Sequence, residues 1–293
     1  MSEQQIAIAT PNAVAKPVTL ANLLSGDKVK QRFNEILGKK APGFISSVLS
    51  VANNNALLKK AKPQSVLNAA VIAATLDLPI NPSLGHAYIV PYGDDAQFII
   101  GWKGLVQLAM RSGQYLSIGA KKVCEGELEI QNSLLDQFKY GVKKSDKGIG
   151  YFAYFKLMNG FEKCLYITKE EAEAHGKKYS QTYKRGKGVW VTDFDAMAKK
   201  TVLKMLISQW GPLSIEMQRA QIFDQAVVRN DLTEVEDIDS AEIAYVDNET
   251  TKSRLKDIAS ANVVETEVIE VVDETTGEVM SEEQPMSDEL PFD

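Results

Sequence analysis

The sequence predicts an α+β fold in which helices pack on short antiparallel hairpins. Three observations carry this expectation. In the first third of the folded part, apolar residues recur at helical spacing. Two later stretches rich in β-branched and aromatic residues are each divided by a turn signal. Strands and helices do not alternate as βαβ units, so no parallel sheet is expected.

The helical front is read from Val29, Phe33, Ile36 and Leu37, then Phe44, Val48 and Leu49, then Val66, Leu67, Ala70, Val71 and Ala74. Lysines and proline-containing breaks separate these pieces, and Pro79 and Pro82 end the stretch. His86–Pro91 and Gln97–Trp102 flank the turn Tyr92-Gly93-Asp94-Asp95 and form a first hairpin. A helix from about Lys103 to Ser112 follows, closed by Gly113, and then a strand at Tyr115–Val123. Ile149–Leu157 and Phe161–Ile167 form the clearest hairpin, with Asn159-Gly160 suited to a tight primed turn. Thr168 and Glu171 make a capping box that opens a helix to about Lys178. A loop with Lys184, Arg185, Gly186, Lys187 and Gly188 leads to the last strong helix, Asp193–Trp210, which Gly211-Pro212 ends. Its buried stripe is expected to be Phe194, Met197, Ala198, Thr201 and Met205.

Charge divides the chain. Residues 231–293 hold 20 acidic and 3 basic side chains, whereas residues 1–230 hold 19 acidic and 30 basic ones. The formal net charge of −6 conceals a basic body with an acidic tail, a layout suited to gripping a polyanion. The tail is poor in aromatics and cannot offset its ordering entropy. The expected organisation is a flexible segment at 1–25, a folded domain at 26–225 and an acidic, disordered tail at 226–293. The longest apolar run, about Ala69 to Leu76, is too short for a bilayer. The N-terminus lacks the basic-then-apolar order of a secretory signal. Cys124 and Cys164 have neither disulfide-framework nor zinc spacing. Cytoplasm is the plain expectation.

Catalysis finds little support. The two histidines, His86 and His175, lie far apart, and neither HExxH, GxSxG nor a Walker phosphate loop is present. Glu125, Glu127 and Glu129 alternate, so on a strand they would share one face. That face either holds Mg²⁺ for phosphodiester hydrolysis or is simply solvated. The basic side chains are more suggestive. Lys103, Gln107 and Arg111 form a polar stripe opposite Leu105, Leu108 and Ala109, with Trp102 at its start and Gly101 and Gly104 letting the backbone approach a ligand. Lys200 and Lys204 share one flank of the last helix, and Lys199 lies on the other. Lys121, Lys122, Lys143, Lys144, and Lys187 ahead of Trp190, add to the basic surface. Cations that track phosphates beside rings that stack on bases suit single-stranded nucleic acid. Snorkelling lysines on an ordinary amphipathic helix remain the plain alternative.

Several short motifs occur in register. Leu84-Gly-His-Ala-Tyr-Ile-Val-Pro91, Ile99-Ile-Gly-Trp-Lys-Gly104 and Arg111-Ser-Gly-Gln114 are followed by Trp190-Val-Thr192, Met197-Ala-Lys-Lys-Thr201 and Ser214-Ile-Glu-Met-Gln-Arg-Ala220. Together they resemble the RecT family of phage recombinases over about residues 26–225. The resemblance implies a RecT/Red-beta-like annealing fold that oligomerises into rings or filaments. It implies no enzyme and no ATP, with Mg²⁺ an open question as an aid to pairing. The implied partners are single-stranded DNA, the annealed duplex, further copies of the chain and a phage exonuclease. The tail ends Ser287-Asp-Glu-Leu-Pro-Phe-Asp293, similar to the acidic tip of bacterial single-strand binding proteins, though with Asp293 after Phe292. That likeness points to the host single-strand binding protein or its partners. A solubilising role and competition with DNA for the basic surface are the other readings of the tail. A Mg²⁺ nuclease and a scaffold for acidic partners are the competing functions.

Overall fold

The structure is a computed structural model and describes residues 18–132, 137–235 and 237–246. Four helices come first: α1 (Leu20–Ser25), α2 (Asp27–Leu37), α3 (Ala41–Asn53) and α4 (Pro63–Thr75). Thr19 caps α1, its hydroxyl accepting from the Asn22 N–H. Pro42 and Pro63 sit in first turns, where a missing N–H costs nothing. Helix α4 is apolar almost all round, which fits a helix at the centre of the body, and every residue from Ser65 to Ala74 is buried.

Next comes the hairpin of β1 (Ala87–Tyr92) and β2 (Asp95–Ile100), closed by Gly93-Asp94 with Gly93 at φ +57°. The outer edge of β2 is satisfied by side chains and backbone. Ala96 N–H donates to Ser65 Oγ (2.8 Å), Ile100 N–H to Asp224 Oδ1 (3.3 Å), and Phe98 C=O accepts from Gln225 N–H (2.9 Å). Helix α5 (Trp102–Arg111) leads into β3 (Tyr115–Cys124).

A second hairpin, β4 (Leu128–Asn132) and β5 (Gln137–Tyr140), was not expected from the sequence pattern. Its strands are short and mostly exposed, so they carry no hydrophobic alternation to read. Strands β6 (Gly148–Leu157) and β7 (Glu162–Thr168) complete an antiparallel sheet in the order β3–β6–β7. Their connection is not the expected two-residue primed turn. Leu157 N–H donates to Phe161 C=O and Gly160, at φ +90°, closes a three-residue loop, because the left-handed position falls on its third residue.

Helix α6 (Lys169–Tyr179) opens with the expected capping box of Thr168 and Glu171. Short helices α7 (Gln181–Lys184) and α8 (Val189–Thr192) precede α9 (Phe194–Trp210), whose N-cap is Asp193. Helix α9 packs on the inner face of the sheet, where Ile118, Tyr151, Ala153, Phe155 and Ile167 are buried. Its buried side is wider than a single stripe and includes Val202, Leu203, Leu206 and Ile207. Met205, expected in that stripe, is instead 41 % exposed, because sheet and α5 both press on the other sides of the helix.

After α10 (Ile215–Phe223) the chain continues as structure rather than tail. Strands β8 (Val227–Val228) and β9 (Ile243–Ala244) pair, and Ala226, Leu232, Ile238 and Tyr245 are buried. Asn68 of α4 fastens this segment. Its amide donates to Val228 and Asn230 carbonyls and its oxygen accepts from Leu232 N–H. Both expected boundaries therefore move outward: α1 lies within the supposed flexible segment 1–25 with Leu24 buried, and residues 226–235 and 237–246 belong to the folded body. The rest of the expected tail, from 247 to 293, lies outside the described residues.

Candidate nucleic-acid interface

Helix α5 is seated on the backbone at 85–86 through glycines. A Cβ at Gly101 would overlap the Gly85 carbonyl and one at Gly104 the His86 carbonyl. Only a bare backbone lets the helix start this close, so these glycines serve packing against the chain itself rather than the expected approach to a ligand. The seat brings Tyr88 against Gly101 and Gly85, and the Lys103 stem runs past Gly85 beside the Tyr88 hydroxyl. Leu105, Leu108 and Ala109 are buried, as the spacing predicts, and leave Lys103 and Gln107 exposed. Burial, then the Lys103 and Arg111 charges, hold the His86 imidazole below its ordinary pKa. Helix α9 brings Lys199 across to α5, with its ammonium 4.9 Å from the centre of the Trp102 ring. Trp102, Lys103, Gln107 and Lys199 thus form one connected surface.

Next to that surface lies a groove of about 530 Å³. One wall is α3 with Ser47 and Ser50, continued by Asn54 and Asn55 just past its end, and the other is β1 with Tyr88. Val189 of α8 closes it on the side of the Lys187 loop. Sequence reasoning missed this groove. Its amide and hydroxyl groups come from segments remote in sequence, and no local pattern joins them.

The other predicted residues separate. Lys200 is 4 % exposed and its ammonium lies 2.6 Å from Asp224 Oδ1, while Lys204 binds Asp224 Oδ2 at 3.0 Å. Burial works against the Asp224 carboxylate, but both lysines outweigh it and hold its pKa below the ordinary value. The expectation of Lys200 and Lys204 side by side on a free flank is therefore corrected: Lys200 faces inward, because Asp224, far along the chain, supplies the charge that lets it be buried. Arg111 turns back onto α4, donating to the Leu76 carbonyl and lying 3.7 Å from Asp77. It caps a helix end rather than extending the Lys103–Gln107 stripe. Lys122 donates to Asp195, which also accepts from the Tyr151 hydroxyl. Burial opposes the Asp195 carboxylate, and these two hydrogen bonds keep its pKa lowered. Lys121 is exposed on the other face of the sheet, opposite Phe152. Lys187 is exposed in the loop between Gly186 and Gly188, both at positive φ. Trp190 is buried at 6 % exposure, its ring packed on Gly176 and 5.5 Å from Phe194, so it anchors α8 and presents no stacking face.

The carboxylates expected to share a strand face do not. Gly126 at φ +90° breaks the alternation, Glu127 accepts from the Cys124 N–H, Glu125 from Ser145 Oγ, and Glu129 lies 3.9 Å from Lys139. Among the described residues no group of three or more His, Cys, Asp or Glu side chains is placed to hold a metal ion, and no helix is long and apolar enough to cross a membrane. Both cysteines are half-buried.

The sequence matches the model of the RecT family over residues 42–243, from the start of α3 into β9. The chain belongs to the RecT family. The matched span takes in the segment after residue 225, which agrees with its place in the folded body. A similar protein is the Uncharacterized protein YqaK of Bacillus subtilis (strain 168), 45 % identical over 279 residues that cover 94 % of this chain and 91 % of that protein. Another is Protein RecT of Escherichia coli (strain K12), 32 % identical over 172 residues, or 55 % of this chain and 62 % of that protein. RecT family membership points to annealing of single-stranded DNA in recombination rather than to a catalytic enzyme, and to self-association.

Proposed function

We propose that this RecT family chain is an ATP-independent protein that binds single-stranded DNA, oligomerises as rings or filaments and pairs complementary strands in phage-type recombination. The observation that supports it most is the α5 start, where Lys199 lies over Trp102 and Lys103 and Gln107 are exposed, beside a groove that mixes apolar side chains with hydroxyls and amides. Lys103 and Gln107 face solvent there, and half-buried Lys199 sits over the half-buried Trp102 ring. Lys103 and Lys199 would neutralise phosphates, and the hydroxyls and amides of the groove would follow the backbone without reading sequence. Two polyanions otherwise repel each other. Neutralising one of them while its base edges stay free lets the second strand do the reading. Repetition along an oligomer turns weak contacts into a strong grip by avidity. Lys187, exposed beside the groove, fits the same path. Lys204, one-third exposed and already on Asp224, fits less well.

Annealing breaks no covalent bond, so this function asks for no nucleophile and no nucleotide. It does require single strands, which an exonuclease of the same recombination system would supply, and Mg²⁺ would ease strand repulsion as a counterion. Partners of the acidic tail, including the host single-strand binding protein, belong to the same reading. The test mixes two complementary labelled oligonucleotides with the full chain without ATP, follows energy transfer and checks strand length on a denaturing gel. Faster pairing of intact strands is expected. Shortened strands would replace this reading with a nuclease, and equal binding of single strands and unrelated polyanions would replace it with a scaffold.

A further inference from the structure

The face of the β3–β6–β7 sheet turned away from α9 carries aromatic rings laid along the strands. Tyr154 lies across Gly119 of β3, its ring atoms 3.4–3.6 Å from where a Cβ would stand. Tyr166 lies over Gly150 so closely that a Cβ there would overlap it. Each glycine removes the side chain that would hold a ring upright, so the ring lies along the strand, and both tyrosines stay half-exposed. Phe152 and Tyr154 are stacked at 6.4 Å and 27°. The β4–β5 hairpin reaches this face through Phe138 and Tyr140, 5.6 and 6.1 Å from Phe152, and Tyr140 is left 68 % exposed. Lys121, the register partner of Phe152, is exposed and has no ion-pair partner among the described residues. Lys156 on the same face is held only by exposed Glu162 at 3.2 Å. By contrast Trp190 is buried and Trp102 has an ammonium over its ring.

We propose that this outer sheet face is a second contact for single-stranded DNA, where Tyr140 and Tyr154 stack on bases and Lys121 and Lys156 hold the flanking phosphates. The proposal rests on the single-strand reading above. Every base has a ring face, so stacking accepts any sequence and leaves the pairing edges free, as annealing of arbitrary strands demands. Lys121 at the margin of the rings, and Lys156 once DNA phosphate displaces the exposed Glu162, make the face complementary to a polyanion.

The experiment irradiates the full chain bound to an oligothymidylate carrying 5-iodouracil and maps the crosslinked peptides. The doubly substituted chain Tyr140→Leu/Lys121→Gln is titrated in parallel. Both positions are exposed, so the variant should melt like the unsubstituted protein. Adducts on Tyr140 or Tyr154, with at least about a fivefold loss of affinity in the variant, are expected. Adducts confined to the Trp102 peptide with unchanged affinity would overturn this proposal and leave the annealing reading standing. Protection of Tyr140 that follows protein concentration and not DNA would make the face a subunit contact and overturn it as well. No strand binding at all would remove both readings.

Discussion

Asp224→Asn is the most informative single change. Asp224 is 3 % exposed at its side chain and neutralises Lys200, 5 % exposed, and Lys204 together, while also accepting from the Ile100 N–H. The asparagine keeps the shape and an acceptor but leaves the Lys200 ammonium buried without a counter-charge. Breaking a buried pair in this way costs about 3–5 kcal/mol. For a fold of this size, each kcal/mol shifts the melting midpoint by about 2–4 °C, so a drop on the order of 10 °C is expected. Lys200→Met should cost less, because it removes the buried charge itself and Lys204 still neutralises Asp224. The assay is thermal melting by circular dichroism at fixed protein concentration, with single-strand affinity measured on the same samples. Melting of Asp224→Asn at the unsubstituted midpoint would refute the reasoning. So would a Lys200→Met variant that melts normally but loses DNA, since Lys200 would then serve the strand and not the core. The pH dependence has a definite sign. The Asp224 carboxyl is held below its ordinary value, so its contribution is present above the usual carboxylate range and is lost as pH falls through the lowered pKa. Acid should therefore destabilise the unsubstituted protein more steeply than Asp224→Asn.

Further changes separate DNA contacts from structural ones. Lys103→Ala should lower single-strand affinity and reduce the salt slope by about one phosphate contact; an unchanged slope removes Lys103 from the interface. Arg111→Ala should leave that slope unchanged but cost about 1–2 kcal/mol in chemical denaturation, since it strips the cap from α4. Gly104→Ala should destabilise by about 1–3 kcal/mol, because α5 must lift off the His86 carbonyl; native stability with full binding would show that the close seat is dispensable.

Local order was legible where one segment carries its own signal. The Thr168–Glu171 capping box, the Gly93-Asp94 turn and the apolar side of α5 all depend on residues a few positions apart. The sequence by itself also determined the family, through motifs in register, and the basic excess of the body. It could not show β4–β5, whose strands are too exposed to leave a pattern, nor that β8 and β9 after residue 225 are folded, since their tie is Asn68 of α4. Which cations face solvent was likewise decided only by tertiary structure. Lys199, Lys200 and Lys204 look alike on one helix, yet Lys199 lies over Trp102 while Asp224 draws Lys200 inward and holds Lys204 beside it. The physical reason is that a lysine's role is set by the charge and the water around its ammonium, and both come from elements distant in sequence.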